Sequence, residues 1–304
     1  MERQPEQTSH YIELGGGERL HLKRIWCDPM GPPLFMLHGA IENGRIFYSG
    51  NGKGLAPFLA LSGFDVYVAD LRGRGGSTPP ISRSSHYGQT EAITEDIPAF
   101  INHIGELRGR APEQWIAHSW GGVLLSSCMA RYPEYLGMLR SAVYFGSKRS
   151  VRVKNIHRLL KVEVMWKRLC PLIAACVGYL PARQMRIGSD SETVRSLSQC
   201  NEWVKPAPWV DPGDGFDYGA AITKAALPPI WYIAAENDHA LGHPDDVRDF
   251  MDESGPSAAM YSVLSQENGN LHDYDHISML THPDAVKDHF PSVVAWLQRY
   301  GETG

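Results

Sequence analysis

The chain has 304 residues, 43% of them hydrophobic and 21% charged, with a formal net charge of −5. This is ordinary globular usage at a length that suits one large α/β domain carrying an insertion, and no overall basic field is present to recruit nucleic acid. The cysteines Cys27, Cys128, Cys170, Cys176 and Cys200 form no CxxC pair, which argues against a zinc site or a disulfide framework and for thiols in a reducing compartment.

The polar residues 1–14 lack the basic start and apolar run of a secretory signal. The longest apolar stretch, 169–180, contains Pro171 and is too short to cross a bilayer. The expectation is a cytoplasmic protein with no integral membrane segment. Residues 11–14 and 20–26 flank Gly15, Gly16 and Gly17 and read as an antiparallel hairpin. Short apolar runs then follow at 34–37, 66–69, 114–117, 142–145, 230–234 and 260–264. Near-continuous apolar character predicts strands covered on both faces, alternating with helices at 55–61, 90–104, 120–131 and 244–251. A last helix is expected after Pro283, with Val286, Phe290, Val293, Val294 and Leu297 on one face.

Residues 148–227 hold no convincing strand and are too many for a structureless loop. They are expected to form a helical cap inserted into a core of residues 1–147 and 228–304. Within 148–168 stand eight Lys or Arg and one acid, Glu163. Val153, Ile156, Leu160 and Val164 recur there at helical spacing, which predicts a basic amphipathic helix. The favoured arrangement puts its apolar face on the core and its basic face in water. The alternative is a lid for acidic or lipid-like acyl substrates, or one touching a membrane surface.

The chemistry concentrates in WIAHSWGG, residues 115–122. An apolar strand runs into Ser119 and then into a helix, the pattern of a nucleophile elbow with Ala117 in place of the first glycine. The sharp turn needs small neighbours, and the helix N-terminus favours developing negative charge. Serine needs a base. Among His272, His276, His282 and His289, His276 sits in a polar loop after the last strand, on the same rim as Ser119, with His272 its competitor. The base needs an acid. Asp238 follows the strand at 230–234, with Glu236 second, while Asp245 and Asp246 read as first-turn helix residues. The strand ending in His38-Gly39 places the backbone N–H of Ala40 as one oxyanion donor, and that of Trp120 as the other. The glycine-rich turn 70–77 lacks the spacing of a phosphate-binding loop.

Together His38-Gly39, the turn DLRGRGGS at 70–77, the elbow around Ser119, RYPE at 131–134, Asp238 and His276 resemble the α/β-hydrolase superfamily, over residues 11–147 and 228–300. The resemblance implies a mostly parallel eight-stranded sheet with helices on both faces and a cap after the sixth strand. The segment DYDH at 273–276 is similar to lipase- or esterase-type members. Ser119 speaks against haloalkane dehalogenases and epoxide hydrolases, whose nucleophile is aspartate. The expected function is hydrolysis of a carboxylic ester or related acyl bond of a small molecule, with no metal or organic cofactor. Acyl transfer, thioester, C–C or peptide cleavage on the same triad, and a non-catalytic binding role, are the alternatives.

Overall fold

The strand that ends just before Ser119 lies inside an eight-stranded sheet, flanked on both sides by parallel neighbours. A computed structural model describes residues 4–301; residues 1–3 and 302–304, which belong to the two ends of the expected core, lie outside the described residues. The strands are β1 (Glu6–Gly15), β2 (Glu18–Trp26), β3 (Pro33–Leu37), β4 (Asp65–Asp70), β5 (Gln114–His118), β6 (Ser141–Phe145), β7 (Tyr179–Leu180), β8 (Glu192–Thr193), β9 (Ile230–Ala235) and β10 (Ala259–Leu264). The large sheet has the order β1-β2-β4-β3-β5-β6-β9-β10. β1 and β2 pair antiparallel, as does β2 with β4; the remaining pairs are parallel. All six apolar runs and both arms of the hairpin are therefore strands of this sheet.

Side-chain alternation along the strands builds two cores. Phe35, Leu37 and Trp115 enter one layer, with Phe100 and Val123 of the helices Ile97–Arg108 and Trp120–Arg131. Leu34, Met36 and Ile116 enter the other, with Leu59 of the helix Leu55–Leu61 and Val293 and Leu297 of Phe290–Gly301. Fully burying each large apolar side chain stabilises the fold by about 1.5–3 kcal/mol, and the sheet between the layers becomes a rigid platform for the loops at its C-terminal edge.

Three expectations need correction. β10 is the sheet edge, so only Leu264 of that strand is buried. The last helix is not continuous from Pro283. A 3-10 turn spans Pro283–Val286, and the helix proper begins at Phe290. Pro291 explains the break: inside a longer helix its ring would clash with the carbonyl four residues back, whereas in a first turn it is tolerated. Asp288 reinforces it by accepting from Asn270, the Leu271 N–H and Tyr274. Val286 is accordingly exposed rather than part of a buried stripe.

The third correction concerns the basic segment. Residues 156–177 form one helical rod: a turn Ile156–Arg158 capped by Asn155, a π-helical stretch Leu159–Leu169, and an α-helix Cys170–Val177 that stops at Gly178 with φ 91°. Its inward side is Val162, Cys170 and Ala174, while Ile156, Leu160 and Val164 face solvent. Helical spacing puts the last three on one face, as they are, but does not say which face packs on the core. The rest of 148–227 adds the helices Val194–Trp203 and Tyr218–Ile222 and the short β7–β8 ladder.

Candidate active site

β5 delivers Ser119 at the start of the helix Trp120–Arg131 with φ 53° and ψ −124°. That left-handed turn is strained for a residue with a side chain, and it is held by the Ser119 N–H donating to the Phe145 carbonyl at 2.7 Å. The neighbouring loop must come very close. A Cβ on Gly39 would stand 2.8 Å from the Ser119 Cβ and 2.9 Å from Glu42 Oε2, and one on Gly121 would stand 2.6 Å from the carbonyl oxygens of Leu37 and His38. Glycine at both positions is thus a packing requirement of the elbow.

The loop after β10 brings His276 beside the serine. His276 Nε2 lies 3.0 Å from Ser119 Oγ, and His276 Nδ1 lies 2.5 Å from Asp238 Oδ2. Asp238 follows β9 and is buried; its other oxygen accepts from the Leu241 N–H at 2.9 Å. Burial pushes the Asp238 carboxyl up, but the His276 ring and the backbone donors outweigh it and hold the group well below the usual carboxylate range. A carboxylate facing Nδ1 sets the ring with its proton there, leaving Nε2 to accept from the serine hydroxyl.

The other candidates sit elsewhere. Glu236 is exposed. His272 pairs with Asp284 at 2.9 Å. His282 caps the turn that follows it by accepting from the Asp284 N–H, and His289 is buried and donates to the Met279 carbonyl. Asp245 and Asp246 occupy the first turn of Pro244–Ser254. In the glycine-rich turn, Asp70 accepts from the N–H groups of Gly44 and Gly76 and contacts His21 Nδ1 at 2.7 Å, so that loop is tied by its own carboxylate. Ala40 and Trp120 line one narrow crevice beside the serine, together with Arg74 and Glu192, which form a buried ion pair.

Two residues beneath the site were missed by sequence reasoning. His118, just before the serine, is fully buried; its Nδ1 lies 2.8 Å from Glu42 Oε2 and its Nε2 lies 2.8 Å from the His276 carbonyl. The same Glu42 oxygen accepts from the Gly39 N–H. A carbonyl oxygen only accepts, so Nε2 carries a proton, and the carboxylate favours a second one on Nδ1. Burial opposes charge on His118, but Glu42 prevails and raises its pKa. Burial likewise pushes Glu42 up, and His118 brings it down to about 2. The signal in the sequence was a buried-strand histidine at 118 matched by an acid three residues after Gly39. Glu42, His118 and His276 offer ligand atoms close enough to hold a cation, as do His272, His282 and Asp284. In the first group Glu42 and His118 engage each other, and both ring nitrogens of His276 are taken up by Asp238 and Ser119.

The Sequence and structure comparisons agree with this architecture. A family model described as serine aminopeptidase, S33, matches residues 34–275. Bifunctional epoxide hydrolase 2 of Sus scrofa is 30% identical over 131 residues, which make up 43% of this chain and 21% of that protein; the chain thus matches about a fifth of the length of such curated relatives. Haloalkane dehalogenase DbeA from Bradyrhizobium elkani superposes with a TM-score of 0.61 at 16% identity, covering 98% of this chain and 100% of that one. The Pyrococcus furiosus esterase Pf2001 superposes at 0.57 and 14% identity, covering 97% and 91%. At such identities the likeness is one of fold.

Proposed function

The chain belongs to the serine aminopeptidase S33 family of α/β-hydrolases, and from that premise we propose that it is a serine hydrolase cleaving a carboxylic ester or related acyl bond of a small molecule. Ser119 Oγ attacks the carbonyl carbon while His276 Nε2 takes its proton. Asp238 keeps the ring oriented and stabilises the imidazolium. The N–H groups of Ala40 and Trp120 receive the developing oxyanion. Collapse expels the alcohol, protonated by His276, and leaves an acyl group on Ser119. Water, deprotonated by the same ring, then releases the acid and restores the serine.

The observation that carries this reading is the continuous contact from Ser119 Oγ through the His276 ring to Asp238. Ser119 also separates it from epoxide opening by an aspartate nucleophile, despite the epoxide hydrolase relatives. Among the described residues no helix is long and apolar enough to cross a membrane. A screen of p-nitrophenyl esters over a range of acyl lengths, with thioester and anilide controls, tests the reading. Ester turnover that disappears in Ser119→Ala supports it. Turnover of anilides alone would move the activity to peptide bonds.

A further inference from the structure

The rod formed by residues 156–177 carries its most apolar side chains on the wrong side for a cap helix packed on a core. Ile156, Leu160, Val164, Leu169 and Leu172 all point outward, and Ile156, Leu160 and Leu172 keep 59%, 57% and 63% of their surface in solvent. They recur roughly every fourth residue. On a regular α-helix such a spacing drifts about 40° round the axis at each step. The π-helical stretch from Leu159 to Leu169 absorbs that drift, because an i→i+5 turn takes more residues to come round. The result is a straight apolar row along the outer face, opposite the buried Val162, Cys170 and Ala174. Isolated exposed apolar residues are common, but a contiguous row bounded by charge marks an interaction surface.

The charges along the row identify the partner. Residues 152–177 contain six Lys or Arg and a single acid, Glu163, in a chain whose formal net charge is −5. That acid is already engaged by Arg158 at 2.6 Å and Lys167 at 2.9 Å. Lys154, Lys161 and Arg168 are exposed beside the row. The helix is therefore a positive, apolar island on an acidic protein. A second copy seated on it by two-fold symmetry would set the cations Lys161 and Arg168 against the same basic face of the partner. An anionic lipid surface instead offers headgroups to the cations and an acyl boundary to the row, the complement that interfacial basic helices select.

We propose that the outer face of residues 156–177 docks on an anionic bilayer surface, with Ile156, Leu160, Val164, Leu169 and Leu172 seated at the headgroup–acyl boundary and Lys154, Lys161 and Arg168 on the headgroups. The remaining acidic surface is repelled by such a membrane, so this face alone touches down and orientation is fixed. The inner face of the same rod belongs to a cluster that packs on Ile41, the residue after Ala40. Docking therefore sets the lipid surface one helix away from the loop that borders Ser119.

Co-sedimentation of the full chain with phosphatidylcholine vesicles, with and without added phosphatidylglycerol, tests this independently of any catalytic activity. The wild type is expected to partition at least about tenfold more strongly to the anionic vesicles, and less so as salt rises. Leu160→Glu with Leu172→Glu should lower that partitioning about tenfold or more. Lys161→Glu with Arg168→Glu, which alters only exposed side chains, should do the same at an unchanged melting temperature. Partitioning that neither pair of substitutions changes, or no partitioning to either vesicle, would overturn the proposal. So would a solution dimer that Leu160→Glu with Leu172→Glu splits into monomers, since the occupant of the face would then be a second copy.

Discussion

His118 Nε2 donates to the backbone carbonyl of His276 across 2.8 Å, so the residue preceding Ser119 also anchors the loop that carries the His276 ring. Through Nδ1 the same ring holds Glu42, which in turn accepts from the Gly39 N–H beside the serine. Three separate loops are thereby locked to one buried ion pair. Glu42→Gln removes the carboxylate that favours a second proton on His118. The expected result is a fall in kcat of about 10–100-fold, the scale typical of outer partners that orient a site, with KM nearly unchanged. Steady-state kinetics on an ester substrate check this, and an unaltered kcat would remove the pair from any positioning role.

Acid stability follows from the same pair. Glu42 falls from 4.5 to about 2 in the folded protein, and Asp238 is also depressed. A depressed carboxyl contributes stability that is present above its unfolded pKa and is lost as pH falls through the folded value. Melting temperature should therefore drop as pH falls from about 4.5 towards 2, and Glu42→Gln should flatten that slope. His118, with a raised pKa, contributes in the opposite sense: fully below 6.5, and progressively less as pH rises through its folded value. Thermal melts across pH, wild type against variant, read both; identical slopes would contradict the pairing.

Asp238→Asn should leave the fold intact and lower kcat by several orders, on the scale of about 10⁴ associated with a wrong histidine tautomer. Glu236→Gln, at an exposed position, should change kcat less than about twofold. The reverse ranking in a kinetic comparison would transfer the acid's role to Glu236.

His276→Ala should abolish measurable turnover, whereas His272→Ala should cost little, because His272 is engaged with Asp284 and not with the serine. Activity assays on the two purified variants decide between them. Wild-type turnover by His276→Ala would remove that ring from the role of base.

Gly39→Ala places a methyl group 2.8 Å from the Ser119 Cβ and 2.9 Å from Glu42 Oε2. Overpacking of that kind destabilises by about 1–3 kcal/mol. It should also displace the serine or the Ala40 N–H, with a drop in kcat of at least roughly tenfold. A melting curve and a rate constant measured together test it, and a variant that is normal in both would contradict the close approach.

The strands and the elbow were legible in the sequence because they obey strong local rules. Six near-continuous apolar runs became β3, β4, β5, β6, β9 and β10, and the small residues around Ser119 marked the turn. Ser119, Asp238 and His276 were each placed at the ends of such runs, and parallel strands bring those ends to one rim. What local pattern could not reveal depends on register and on distant pairing. The apolar row of the helical rod 156–177 was assigned to the core because spacing shows which residues share a face, and not which face the fold covers. The final helix was drawn too long because Pro283 was weighed and Pro291 was not. Glu42 and His118 are 76 positions apart, and only the fold makes them a pair.

Intact-mass analysis after reaction with a fluorophosphonate probe measures the nucleophile directly. The account predicts one adduct on the wild type, mapped by peptide digestion to Ser119, and none on Ser119→Ala or, at the same exposure, on His276→Ala. An adduct on another residue, or full ester turnover by a protein that takes up no probe, would contradict it.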